Sequence, residues 1–158
     1  MSSFWPAKEV LPQLWIGSKK DSQSYTFLKK NGVALVVNCS RDLPTTTPES
    51  MGIPCVRVPV HDHPSEAPRL AAHAPAACRQ MHKTLKGGGA VLVHCFAGVS
   101  RSASLVAVFL MGSFPSMFPD VDSAISFLQT RKPETFRAAD GSDMRNFEKA
   151  LARFQRGK

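Results

Sequence analysis

Cysteine is scarce in this sequence and nowhere paired. Cys39, Cys55, Cys78 and Cys95 are scattered singly, with no C-x-x-C among them. That excludes a disulfide framework and the common zinc-ribbon spacings, and it predicts reduced thiols in a cytosolic or nuclear setting. Long apolar runs are also missing. None approaches the roughly 18 residues that would span a bilayer. The amino-terminal MSSFWPAKEV has no basic segment followed by an apolar one, so no secretory leader is expected. It opens Met1-Ser2 rather than Met-Gly, and no prenylation box closes the chain, so no lipid anchor is expected. There is no repeat and no low-complexity segment. Strands with interleaved aromatic and basic residues, which would mark an RNA binder, are not found, so no stable nucleic-acid partner is expected.

What the chain does have is positive charge. Twenty Lys and Arg stand against twelve Asp and Glu, a net charge of +8. Such a surface attracts anionic partners: phosphorylated protein, anionic lipid or RNA. Charge alone does not choose among them. At 158 residues the chain fits a single domain, 1–158, with its core over about 10–154.

Hydrophobic patterning supplies the elements. Leu14-Trp15-Ile16-Gly17 reads as a short strand. Ser22 to Lys30 reads as a helix stopped by Asn31-Gly32. Val33 to Val37 is an unbroken β-prone run, the pattern of a strand covered on both faces. Cys55 to Val60 reads as another strand, pushed to a sheet edge or strand end by Pro59. Leu70 to Leu85 has helical spacing, but Pro75 predicts a kink or a late start. Ala90 to His94 is a buried strand and Ser102 to Met111 an apolar helix. Asp120 or Asp122 can cap a helix to Arg131, and Asp140 or Ser142 a last helix through Phe154. The apolar loop Phe114–Pro119 is expected to pack. Together these elements predict an α/β fold: a mostly parallel central sheet of four to five strands flanked by helices.

The chemistry lies where the fourth of these strands meets its helix, in VLVHCFAGVSRSASL. Ligands in open α/β sheets sit at the carboxyl ends of strands. A loop of small residues leading into a helix offers backbone N–H groups and a partial positive charge, which is a cradle for an anion. Phe96, Ala97, Gly98, Val99 and Ser100 would form that cradle, with Arg101 adding a planar fork for two phosphate oxygens. The same surroundings favour the thiolate of Cys95, a nucleophile held beneath the phosphate.

HCFAGVSRS, His94 to Ser102, resembles the H-C-x-x-G-x-S-R-S signature of the dual-specificity branch of the protein tyrosine phosphatases. LPQLWIGS, VVNCS, VPVHDHPSEAP and the FEKAL segment are similar to the same family's small single-domain members, from about Val10 to Phe154. The resemblance implies a protein phosphatase acting on phosphotyrosine and phosphoserine or phosphothreonine through a cysteinyl-phosphate. Cys95 would attack phosphorus and Arg101 would hold the phosphoryl oxygens. Asp62, in the loop where the family carries its acid, would protonate the leaving group, with Asp42 as the rival. Ser102 would assist the departing sulfur and His94 would orient the loop.

No cofactor or metal is implied. His61-Asp62-His63 could share a strand face, but a third and fourth ligand are missing at any recognisable spacing. Cys39, Cys55 and Cys78 are read as packing residues, one of which could form a disulfide with an oxidised Cys95.

The chain departs from the family near its end. In place of Asn-x-Gly-Phe-x-x-Gln-Leu it has Ala139-Asp140 and Asp143-Met144, while Arg131-Lys132-Pro133 resembles the family's Arg-Pro pair. The expected partner is a phosphorylated protein. Lipid or RNA 5′-phosphate hydrolysis, or a phosphate-reading module without turnover, are the alternatives. The signature loop carries no lysine, which members acting on inositol phosphates tend to have. Oligomeric state is not legible in the sequence.

Overall fold

The computed structural model describes residues 5–155. The leader and acylation patterns sought above fall largely at the two ends outside that range. Five strands form one sheet: β1 (Lys8–Leu11), β2 (Leu14–Gly17), β3 (Val33–Asn38), β4 (Cys55–Arg57) and β5 (Ala90–His94), in the order β1-β2-β5-β3-β4. Only the β1–β2 hairpin is antiparallel. The pairs β2–β5, β5–β3 and β3–β4 are parallel. The expected α/β sheet is therefore present with five strands.

The side-chain alternation of the strands divides the core. Leu14, Ile16, Leu35, Val37, Val91 and Val93 face one side, where they meet α4 (Ala67–Lys86), α5 (Arg101–Ser113), α6 (Val121–Arg131) and α7 (Glu148–Ala152). Val36 and Leu92 face the other, with Leu28, Trp15 and Phe27, beneath α1 (Lys19–Ser22), α2 (Tyr25–Lys30) and α3 (Thr46–Ser50). β5 is central and wholly buried, which is why its five residues, Ala90-Val-Leu-Val-His94, are almost uniformly apolar. Its carboxyl end delivers Cys95 into the crevice between strands and helices. Among the described residues no helix is long and apolar enough to cross a membrane.

Several local expectations need correction. The helix read over Ser22–Lys30 is two. Ser24 accepts from Phe27 N–H and starts α2 afresh, because a side-chain cap there outcompetes continuation of α1. Strand β4 stops at Arg57, and Pro59, which has no N–H to give a ladder, lies beyond it at the sheet edge. α4 neither starts late nor breaks: it runs 20 residues through Pro75, forfeiting one backbone rung on its exposed side.

The last helix is short, Glu148–Ala152, with no side-chain cap. Asp140 instead closes a turn by accepting from Ser142 N–H and Oγ. In the Phe114–Pro119 loop only Phe118 is buried. Phe114 is 41% and Met117 68% exposed.

Candidate active site

The loop between β5 and α5 is fixed by its neighbours as much as by its own sequence. Lys19 N–H donates to Phe96 O at 3.0 Å, and Phe136 N–H donates to Val99 O at 2.8 Å. Arg101 Nη1 donates to Val60 O at 3.2 Å. The loop is thus braced by α1, by the segment after α6 and by the chain following β4.

Gly98 is the tightest point. Its φ is +76°, and a Cβ placed there would stand 2.6 Å from Gly17 O and 2.9 Å from Gly17 C. Gly17 is crowded in turn: a Cβ on it would lie 2.8 Å from Asp21 Oδ2. That carboxylate is held in place because it accepts from Ser18 N–H at 2.8 Å, in the capping box that opens α1. Two glycines, one at the end of β2 and one in the loop, allow the backbones to touch.

Cys95 lies inside this arrangement, 3% exposed. Gly98 N–H donates to its sulfur at 3.3 Å, and Ser102 Oγ is 3.2 Å away. His94, fully buried, has Nδ1 3.3 Å from Cys95 O. Burial pushes the His94 imidazole down to about 4, aided by the charges of Arg57 and Arg101 and opposed by its bond to Cys95 O. A neutral imidazole is therefore built in beside the loop.

The structure also brings Asp62 to this loop. Ser100 Oγ donates to Asp62 Oδ1 at 2.8 Å. Ser100 stands at the N-cap position of α5, yet its side chain does not cap the helix. The hydroxyl is spent on the aspartate, and the amino terminus of α5 receives no side-chain cap. An anion would find backbone donors there. Arg101 Nε is buried with no hydrogen-bond partner among the described residues. Cys95, Arg101, Ser102, Ser100, Gly98, His94 and Asp62 are thus gathered at one crevice, with Phe96, Ala97 and Val99 forming the rest of the loop. Phe96 is 48% exposed, and Asp42 is exposed on the turn after β3, with no side-chain hydrogen bond or ion pair among the described residues.

Sequence patterning did not reveal Asn146. Its Nδ2 donates to Asp62 Oδ1 at 2.9 Å and lies 3.4 Å from Asp62 O. Asp62 is therefore gripped from two sides, by Ser100 and by Asn146, and Asn146 sits in the very segment where the chain departs from the family pattern. No periodicity marks it, because it lies in an irregular turn before α7. Phe136 was missed as well. It is buried with φ +61°, a backbone state rare outside glycine, and it ties Val99 O to Met144 N–H through its own N–H and carbonyl.

The neighbouring Lys132 is fully buried and pairs with Glu134. Cys39, at the end of β3 next to β5, donates its N–H to His94 O at 2.8 Å, and burial holds its thiol well above the ordinary range. All four cysteines are free. His63 Nδ1 bonds to Ser65, and no metal-ligating cluster of three or more His, Cys, Asp or Glu occurs among the described residues.

Comparison with known proteins agrees with this geometry. The family model "Dual specificity phosphatase, catalytic domain" matches residues 14–151. Human dual specificity phosphatase 28 is 40% identical over 106 residues, which cover 67% of this chain and 58% of that protein. Bovine dual specificity protein phosphatase 26 is 38% identical over 109 residues, covering 66% of this chain and 51% of that protein. The aligned region thus spans between half and three-fifths of these relatives. The crystal structure of human DUSP28 superposes with a TM-score of 0.80 at 30% identity, covering 96% of this chain and 93% of that one.

Proposed function

The chain belongs to the dual specificity phosphatase family, and from that premise we propose that it hydrolyses phosphotyrosine and phosphoserine or phosphothreonine in proteins through a cysteinyl-phosphate intermediate. The observation that carries this reading is the setting of the Cys95 sulfur. It lies at the amino end of α5 between the Gly98 N–H and Ser102 Oγ, with Arg101 opening that helix and Asp62, from the segment after β4, held to the loop by Ser100.

In the first half-reaction Cys95 Sγ attacks phosphorus in line with the leaving oxygen. The S–P bond forms as the P–O bond breaks. Asp62 gives its proton to the departing oxygen, so that an alcohol or phenol leaves rather than its anion. Backbone N–H groups of the loop, the amino end of α5 and the Arg101 fork carry the charge on the equatorial oxygens. In the second half-reaction water attacks the same phosphorus. Asp62 takes its proton, the S–P bond breaks, and Ser102 Oγ donates to the departing sulfur. Ser100 and Asn146 fix the Asp62 carboxylate beside the loop. Every atom in this sequence is supplied by substrate, water and side chains.

The test is hydrolysis of p-nitrophenyl phosphate by the wild type, Cys95→Ser and Asp62→Ala. Wild-type turnover that Cys95→Ser abolishes, with Asp62→Ala slowed by about 10²–10⁴-fold, is expected. Wild-type turnover no greater than that of Cys95→Ser would end the enzymatic reading. Full kcat in Asp62→Ala would assign the acid elsewhere. Parallel panels of phosphotyrosine and phosphothreonine peptides then measure the preference between substrates.

A further inference from the structure

A second concavity lies away from the Cys95 loop. It is a groove of about 870 Å³ between α4 and α5. Its α5 wall begins at Val108, seven residues past Arg101, or about 10 Å along the helix at 1.5 Å per residue. The floor is apolar: Pro75, Val108, Phe109 and Phe154. Phe109 continues outward through an edge-to-face contact with the exposed Phe114, extending the apolar strip to the loop where Met117 is 68% exposed. Cys78, which also lines the groove, is pushed up to about 12 by burial and stays a neutral thiol.

One rim has a single sign of charge. Arg79, His82, Lys83 and Lys86 recur at i, i+3, i+4 and i+7 on α4, so they form one stripe. Among the described residues no acidic side chain lines the groove. Arg79, Lys83 and Lys86 enter none of the ion pairs among the described residues. Glu66, the carboxylate just before α4, is used elsewhere, on Arg41 and Arg69. An apolar trough beside an uncompensated cationic stripe is complementary to a helix with apolar residues on one face and carboxylates beside them.

We propose that the α4–α5 groove is a docking site for an acidic amphipathic helix of a partner protein. The gap between two packed helices is the shape that a third helix fills. The α4 wall, Pro75 to Lys86, is eleven steps or about 16 Å long, enough for three turns of a partner. A concave trough receives the side chains of a helix, whereas Phe114 and Met117, exposed at one end of the strip, are the groups that a membrane would take. A lipid surface is for that reason the alternative that the test must separate. The site is distinct from the Cys95 loop and does not depend on turnover.

The probe is a fluorescein-labelled 14-residue peptide with Leu at i, i+3, i+4 and i+7 and Glu at most other positions, titrated with the full chain and followed by anisotropy. Saturable binding in the micromolar range is expected, weakening as salt rises. Lys83→Glu/Lys86→Glu should weaken it at least about tenfold, since two attractive rim charges become repulsive. Gly112→Phe should do the same by filling the trough. A Cβ at Gly112 meets nothing within 4 Å, so this variant keeps the fold. Both variants should hydrolyse p-nitrophenyl phosphate like the wild type. Absence of saturable binding, or binding that neither variant changes, overturns the proposal. So does sedimentation with phosphatidylserine vesicles that depends on Lys83 and Lys86 when the peptide does not bind.

Discussion

Gly98→Ala is the sharpest probe of how the loop is built. The added Cβ meets Gly17 O at 2.6 Å, and ordinary contact begins at 3.4 Å, so the two backbones must part by about 0.8 Å (3.4 − 2.6). Neither atom is the end of a flexible side chain, so the loop itself moves. That displacement carries the N–H that faces the Cys95 sulfur at 3.3 Å. Misplacement of a reacting group by about 1 Å costs on the order of 10²-fold in rate. Independently, alanine at φ +76° costs about 1–2 kcal/mol of stability. The expectation is therefore a kcat on p-nitrophenyl phosphate lower by about 100-fold. The urea midpoint should fall by about 0.5–1 M, for a slope near 2 kcal/mol/M. Gly141→Ala is the control. Its φ is +86°, but a Cβ there meets nothing within 4 Å. It should lose comparable stability and keep its kcat. The reasoning fails if Gly98→Ala retains a third or more of wild-type kcat, or if Gly141→Ala loses as much activity as Gly98→Ala.

Three further outcomes follow from the same contacts. Asn146→Ala removes one of the two donors on Asp62, so kcat should fall by about tenfold, in keeping with a hydrogen bond to a charged group, and KM should change little. In the Asp62→Ala background the same substitution should cost little more, and a further tenfold fall there would refute the link to Asp62. Lys132→Met leaves Glu134 without its buried partner and should cost about 3–5 kcal/mol in denaturant unfolding, while Lys132→Met/Glu134→Leu should recover most of it. Additive losses in the double variant would contradict the pairing. His94 is neutral when folded, with its imidazole at about 4 against 6.5 unfolded, so the unfolded chain binds the extra proton between those values. Its contribution is intact above pH 6.5 and is lost as pH falls toward 4, to a total of about 3 kcal/mol (2.5 units at 1.36). Urea midpoints measured from pH 7 to 4.5 should fall less steeply for His94→Gln, and parallel curves would refute the assignment.

Much of the fold is legible in the sequence for a physical reason. The runs Val33–Val37 and Ala90–His94 are β-branched and apolar on both faces, and only central parallel strands need that. Gly98 and Arg101 are legible because close backbone approach and anion binding restrict the residue type. What escapes is decided by single hydrogen bonds. Ser24 restarts a helix, and Asp140 spends its carboxylate on Ser142 rather than on a cap. Ser100, read as a cradle residue, turns its hydroxyl to Asp62. Asn146 reaches the same carboxylate across 84 positions. No local pattern encodes a contact that distant. In the segment where the chain departs from the family's terminal motif, Asn146 holds Asp62.

The most direct test of the mechanism is to trap its intermediate. The Asp62→Ala variant, mixed with p-nitrophenyl phosphate and quenched in acid within the first turnover, should carry one phosphoryl group. Mass spectrometry of its peptides should place that group on Cys95 sulfur, and Cys95→Ser should carry none there. Nitrophenol released by the wild type with no phosphocysteine at any time point, or phosphate found on another side chain, would contradict attack by the Cys95 sulfur.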